Sequence, residues 1–143
     1  MIKNILGWLF TVWGGIVFIV SMLFFMPAVW ISGMLDEPKR TSFFIRICRS
    51  WMAIFFTLTG VRLKIKGRDA FKKGENYIVV CNHNSLMDVP LTSPGIPGAN
   101  KTIAKIEMAK IPVFGIIYKR GSVLLDRKND GSRRESYVAM KSV

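Results

Sequence analysis

Histidine and cysteine are nearly missing from this sequence. Among 143 residues there is one histidine, His83, and two cysteines, Cys48 and Cys81, both set in apolar stretches. Three scattered candidate ligands do not make a closed structural zinc site, so metals are set aside. Two cysteines outside any paired framework fit a reducing, cytosolic-side location better than secretion. Acidic residues are also scarce: nine Asp and Glu stand against 21 Lys and Arg, a net charge of +12. Charge of either sign is absent from Asn4 to Leu35. There is no internal repeat and no low-complexity segment.

What is abundant is apolar surface. Half the residues are hydrophobic, with ten Phe and four Trp, and mean hydropathy is +0.31. That excludes an intrinsically disordered chain, and the length is about that of one domain. A chain this apolar and this basic at once points to a membrane surface or an anionic ligand. Nucleic-acid binding has only net charge in its favour. The basic residues are spread among apolar segments without a recognised motif, and the uncharged N-terminal span argues against it.

The run Ile5–Met26 is 22 residues long, about 33 Å as a helix, enough for a bilayer core. Pro27 supplies a stop, Gly14 and Gly15 are tolerated in membranes, and Trp8, Trp13 and Trp30 suit interfaces. A signal peptide fits poorly, because the run is too long and no small-x-small cleavage site closes it. A buried core helix is the other reading, but the segment is apolar on all sides. A membrane helix is the stronger one. Lys3 alone precedes it, whereas Lys39, Arg40, Arg46 and Arg49 follow, so the positive-inside rule places the C-terminal part in the cytoplasm. In residues 41–60, Phe44, Ile47, Trp51, Ile54, Phe55 and Leu58 recur at helical spacing, with Arg46 and Arg49 elsewhere round the helix. This predicts either an interfacial helix with its arginines at lipid headgroups or a helix packed on the domain below it. The first is preferred.

From Val61 the pattern becomes α/β. Val61–Gly67 alternates apolar and polar residues, as a half-buried strand does, and Tyr77–Cys81 reads as a short buried strand. Thr102–Ala104 and Ser122–Leu125 are two further strand candidates, separated by Pro/Gly-rich joints at 93–98 and 111–115. Residues 132–141 read as the opening of a helix, after which an α/β layer needs another strand.

The strand at Tyr77–Cys81 runs into Asn82-His83-Asn84-Ser85-Leu86-Met87-Asp88. The single histidine thus follows the carboxyl end of a strand, where α/β folds place their sites. On one continuous helix His83 and Asp88 would stand about 140° apart. They meet only if His83 lies in the loop and Asp88 in the first turn of a helix starting near Asn84 or Ser85. The carboxylate then orients one imidazole nitrogen and leaves the other free as a base. Alternatively Asp88 merely caps that helix, and spacing alone leaves both readings open. A second group of residues runs from Lys105-Ile106-Glu107 through Pro112-Val113-Phe114-Gly115 to Lys119-Arg120-Gly121 and Leu125-Asp126-Arg127. Its cations suit phosphate recognition, although charges flanking a strand are commonly just solvated.

Asn82-His83-x-x-x-x-Asp88 resembles the first signature block of the glycerolipid acyltransferases, the family of the lysophosphatidic acid (1-acyl-sn-glycerol-3-phosphate) acyltransferases. Lys105-x-Glu107, Pro112-x-Phe114-Gly115 and Gly121-x-x-x-Leu125-Asp126-Arg127 resemble the second region in order and spacing. The apolar N-terminal segment and the basic amphipathic helix suit that family's membrane attachment. The resemblance implies an α/β architecture: a membrane-anchoring helix and loop over 1–40, an interfacial helix over 41–60, and the N-terminal part of a mixed-sheet acyltransferase domain over 61–143. The family's later Phe-Pro-Glu-Gly-Thr-Arg block, attributed to acceptor phosphate binding, is absent, so a C-terminally truncated acyltransferase is expected.

By the same resemblance, the acyl group passes from acyl-CoA or acyl carrier protein to the sn-2 hydroxyl of lysophosphatidic acid. His83 is the implied general base and Asp88 orients it. Attack is direct, so Ser85 is a cap rather than a nucleophile, and backbone N–H groups after Asn84 are candidate oxyanion donors. Lys105, Arg120, Gly121 and Arg127 are the implied substrate-binding residues. No metal or redox cofactor is required, and the implied partners are membrane lipids, lysophosphatidic acid and the acyl donor. Two alternatives stay open: an acyltransferase for another acceptor, such as glycerol-3-phosphate or another lysolipid, and a non-catalytic, membrane-anchored basic protein that binds anionic lipid.

Overall fold

The computed structural model describes residues 2–85, 87–126 and 128–141. Two long helices lead the chain: α1 over Ile2–Ser32 and α2 over Lys39–Thr59. Then come α3 over Asp88–Thr92, β1 over Thr102–Lys105, α4 over Phe114–Gly121, β2 over Ser122–Leu125 and α5 over Asp130–Lys141. Single 3₁₀ turns occupy Arg68–Ala70, Ser93–Gly95 and Ile106–Lys110.

The uncharged N-terminal segment is helical, as its composition predicts, but Pro27 does not end it. Proline removes one i→i−4 bond. Beyond it Val29 and Ser32 are 1% and 0% exposed, so packing of the last turn outweighs the missing bond. Both α1 and α2 are long and apolar enough to cross a membrane, α1 with most of its surface exposed and α2 substantially buried. A buried stripe on α1, Val17, Ser21, Met22 and Val29, packs on α2. The Phe18 ring lies 5.1 Å from Trp51 and 5.6 Å from Phe55, and the Trp51 indole N–H donates to Ser21 Oγ at 2.9 Å.

Burial on α2 differs from the single stripe its periodicity suggests. Phe44, Ile47, Trp51 and Phe55 are buried as expected, joined by Ile45, Met52 and Phe56, whereas Ile54 and Leu58 are exposed. The helix is covered on two sides, by α1 and by the rest of the chain, so its buried arc is wider and rotated. Gly60 closes it at φ +70°, a left-handed cap that favours glycine.

Strands β1 and β2 pair in parallel, with Thr102 opposite Ser122 and Lys105 opposite Leu125, joined by a crossover containing α4. This α/β unit carries both strands expected over residues 102–125. The strands expected at Val61–Gly67 and Tyr77–Cys81 are not formed. Alternation and β-branching specify a backbone that can pair, but pairing needs a neighbour, and no ladder reaches either segment among the described residues. Ile78 and Val80 are accordingly 97% and 89% exposed. The mixed sheet therefore reduces, among the described residues, to one parallel pair. Helix α5 begins at Asp130 rather than Ser132, its first turn held by Asn129 Oδ1, which accepts from the Gly131 and Ser132 N–H groups.

Candidate active site

His83 and Asp88 meet. His83 Nδ1 lies 2.9 Å from Asp88 Oδ2. The same oxygen accepts the backbone N–H groups of Asn84 at 2.7 Å and Ser85 at 2.8 Å. The contact and the cap coexist: one carboxylate oxygen holds the imidazole and ties down the turn. The helix starts later than expected. It opens at Asp88 itself rather than at Asn84 or Ser85, because the carboxylate reaches backward over the turn and satisfies its donors from the first helical residue. Ser85 Oγ accepts the Met87 N–H at 3.2 Å, and the Asp88 N–H donates to the Ser85 carbonyl at 3.1 Å.

This environment sets the electrostatics of the pair. The Ser85 N–H, and after it the His83 ring, hold the Asp88 carboxyl below the usual carboxylate range, so it is an anion at neutral pH. His83 is the more exposed partner, with 58% of its side chain accessible against 24% for Asp88. Its Nε2 makes no hydrogen bond among the described residues. The backbone N–H groups of Asn84 and Ser85 are both engaged by Asp88, and that of Met87 by Ser85 Oγ.

The other expected site residues are dispersed. Lys105 is exposed at the end of β1, next to Leu125 at the end of β2. Arg120 lies with its guanidinium group against Gly33, in the turn between α1 and α2, where a Cβ would collide with it. Gly121 sits beneath the Phe44 ring of α2, in a space that a Cβ would invade. Arg127 lies outside the described residues. In the second block, Gly115 has a plain steric role, since a Cβ there would strike the Ala109 carbonyl group.

Residues that chemical patterning overlooked hold the region together. Arg49 of α2, expected at lipid headgroups, instead donates to three loop carbonyls: Pro94 at 3.0 Å, Ile96 at 2.8 Å and Gly98 at 2.9 Å. Arg68 donates to the Gly95 carbonyl at 3.1 Å. Both arginines stand on the wall of a groove of about 720 Å³ between the second half of α2, residues 60–68 and α3. Glu37, in the α1–α2 turn, pairs with Lys101 at 2.7 Å and accepts the Thr41 hydroxyl at 2.7 Å. Burial alone would raise the Glu37 carboxyl, but Lys101 and Thr41 outweigh it and hold it below its ordinary value.

The contact of His83 with Asp88 precedes a βαβ unit whose crossover carries Pro112-x-Phe114-Gly115, an order in keeping with an acyltransferase-type chain. Residues 62–143 match the acyltransferase family, and the chain belongs to it. It is similar to a 1-acyl-sn-glycerol-3-phosphate acyltransferase of Helicobacter pylori, 36% identical over 85 residues, covering 59% of this chain and 35% of that protein. It is also similar to the human 1-acyl-sn-glycerol-3-phosphate acyltransferase alpha, 30% identical over 88 residues, covering 61% of this chain and 31% of that protein. The chain spans about a third of the length of these curated relatives. No solved structure matches it at a significant level.

Proposed function

We propose that this chain carries the catalytic pair of an enzyme that transfers a fatty acyl group from acyl-CoA or acyl carrier protein to the sn-2 hydroxyl of 1-acyl-glycerol-3-phosphate, giving phosphatidic acid. The observation that carries this reading is the 2.9 Å contact between His83 Nδ1 and Asp88 Oδ2 on a histidine side chain that is 58% accessible. His83 Nε2 takes the hydroxyl proton as the oxygen attacks the thioester carbonyl. Asp88 fixes the tautomer and stabilises the imidazolium. Collapse of the tetrahedral intermediate expels the thiolate, which recovers the proton from His83. Transfer is direct. Ser85 Oγ accepts a backbone N–H and makes no hydrogen bond to His83 among the described residues, in keeping with a turn-forming role.

Lys105 and Arg127 are the preferred acceptor-phosphate ligands, with Arg120 and Gly121 completing the substrate-binding set. Lys105 and Leu125 pair at the carboxyl edge of the parallel strands, the edge at which α/β folds bind ligands, and Arg127 follows two residues later in sequence. Residues 1–40 anchor the enzyme, 41–60 lie at the interface, and 61–143 form the acyltransferase part on the cytoplasmic face. Support for the anchor is the apolar outward surface of α1 and the charge of +12, which favours anionic headgroups.

The test is acyl transfer in vesicles containing the chain, with lysophosphatidic acid and labelled acyl-CoA or acyl carrier protein, beside His83→Ala. Turnover abolished by the substitution is expected, and equal turnover in both proteins would refute the mechanism. The high positive charge also favours a second reading, non-catalytic binding of anionic lipid. It predicts vesicle binding that falls with salt and ignores His83→Ala. Glycerol-3-phosphate and other lysolipids in the same assay test the remaining choice of acceptor.

A further inference from the structure

We infer that Arg49 is a positioning residue for the His83–Asp88 pair, acting as a fork that holds the far end of the pair's own helical segment against α2. The assignment rests on the reading of that pair as catalytic. Its basis is geometric.

Asp88 opens α3, and α3 continues without interruption into the 3₁₀ turn Ser93–Gly95. The Ile96 N–H still bonds back to the Thr92 carbonyl at 3.1 Å. Asp88 therefore stands at one end of a short run of helical turns, and residues 94–98 form the other end. A helix this short has no independent stability in water, so its placement comes from what grips it. Arg49 supplies three of those grips, with Nε on the Pro94 carbonyl and Nη2 on those of Ile96 and Gly98. Arg68 adds a bond to the Gly95 carbonyl. Asn100 ties back to Ser93 through its amide donor and its carbonyl oxygen. Arg49 is the residue of this set that belongs to α2, and α2 is locked to α1 by the Trp51–Ser21 bond and the Phe18 ring contacts. Met87 and Leu91 add apolar packing on the α1–α2 core, and the hydrogen-bonded path from α2 to the far end of the segment runs through the Arg49 guanidinium group.

The fork geometry separates this role from simple attraction to anionic lipid. Nε and Nη2 lie along one edge of the rigid guanidinium plane and hold three N–H donors in fixed directions. A lysine keeps the charge but concentrates its donors on one atom, and that atom does not reproduce donors spread along the edge of a guanidinium. A headgroup-binding arginine would tolerate lysine, and a carbonyl fork does not. Arg46, exposed three residues earlier on the same helix, supplies the internal control.

The experiment compares wild-type chain, Arg49→Lys, Arg49→Met and Arg46→Lys in phosphatidylcholine–phosphatidylglycerol nanodiscs. Amide hydrogen exchange is measured alongside acyl transfer to lysophosphatidic acid. The informative amides are Asn84 and Ser85, held by Asp88, and Leu91 and Ile96, held within the helical run. In Arg49→Lys these four exchange faster while α2 amides stay protected. Turnover number falls about tenfold, as expected for a displaced catalytic group, with KM for lysophosphatidic acid unchanged. Arg46→Lys leaves both readouts at wild-type values. Wild-type exchange in Arg49→Lys overturns the fork, and faster exchange with unchanged turnover overturns its link to the catalytic pair. If Arg49→Met unprotects α2 as well, the isocharged Arg49→Lys decides. Exchange needs no turnover: a wild-type chain that transfers no acyl group while Arg49→Lys still loosens the segment upholds the fork and overturns the reading that this chain alone is catalytic.

Discussion

Replacing Asp88 with asparagine separates the two jobs that its Oδ2 performs. That oxygen lies 2.9 Å from His83 Nδ1 and accepts the N–H groups of Asn84 and Ser85 at 2.7 and 2.8 Å. Asparagine has the same shape, and its amide oxygen can keep the two backbone donors, so the turn and α3 persist. The negative charge beside the imidazole is lost. The amide oxygen in that place still accepts from Nδ1–H, but more weakly, so the preference for a proton on Nδ1 falls and the imidazolium loses its counter-charge. General-base catalysis contributes roughly 10²–10⁴-fold. Because His83 is 58% and Asp88 24% exposed, water screens the pair and moves the effect to the low end. Asp88→Asn should therefore lower the turnover number about 10²-fold with KM for the acceptor little changed. His83 is the sole histidine, so ¹⁵N labelling of the imidazole reports one tautomer equilibrium without assignment. The Nδ1–H form dominates in the wild type at alkaline pH and loses ground in the variant. Turnover within about threefold of wild type, with the tautomer unmoved, would refute the argument.

Other consequences follow from packing and charge. Gly115→Ala forces a methyl group into the Ala109 carbonyl. Overpacking costs about 3 kcal/mol against backbone that cannot swing aside, offset by about 1 kcal/mol of helix propensity. A net loss of about 2 kcal/mol lowers Tm by ~4–8 °C, and a thermal melt in detergent that is unchanged would contradict the contact. Glu37 and Asp88 both have carboxyl groups held below their ordinary values. Each contributes stability that is present above its unfolded-state pKa, about 3.9–4.3, and is lost as pH falls through the lower folded value. Unfolding temperature should thus drop on acidification below about pH 4.5. Glu37→Gln should be less stable than wild type at pH 7, with the gap closing at pH 3, and a gap of constant size would show that the Lys101 pair does not stabilise the fold.

Local signals in the sequence foretold local structure well. An uncharged apolar run becomes α1, the short segments Thr102–Ala104 and Ser122–Leu125 become paired strands, and the five-residue spacing from His83 to Asp88 becomes a contact across a turn. Each of these depends on neighbours close in sequence or on one crossover. Val61–Gly67 and Tyr77–Cys81 carry strong strand patterning yet form no ladder among the described residues. Alternation encodes a willingness to pair, and a strand exists only where a partner offers its donors and acceptors. The buried arc of α2 departs from its periodicity for a related reason: periodicity shows one apolar stripe, whereas burial on two sides enlists Ile45, Met52 and Phe56 and leaves Ile54 and Leu58 outside.

Charge was the least legible feature, and Arg49 and Arg120 show why. A guanidinium group satisfies phosphate oxygens and backbone carbonyls by the same planar donors, so residue type alone does not choose between a lipid headgroup and a loop. Arg49 lies among three carbonyls, and Arg120 lies against Gly33. The glycines next to these contacts carry the missing information. Gly33 leaves room for Arg120, and Gly121 leaves room for the Phe44 ring, so two glycines mark where the α/β part abuts the helical hairpin. The glycine of a motif that resembles a substrate-binding block therefore has a packing duty of its own. A loss of activity on substituting Gly121 would be read first against Phe44, 4% exposed and unable to retreat. Substrate contact would be inferred only from a variant in which Phe44 had been trimmed to admit the new side chain.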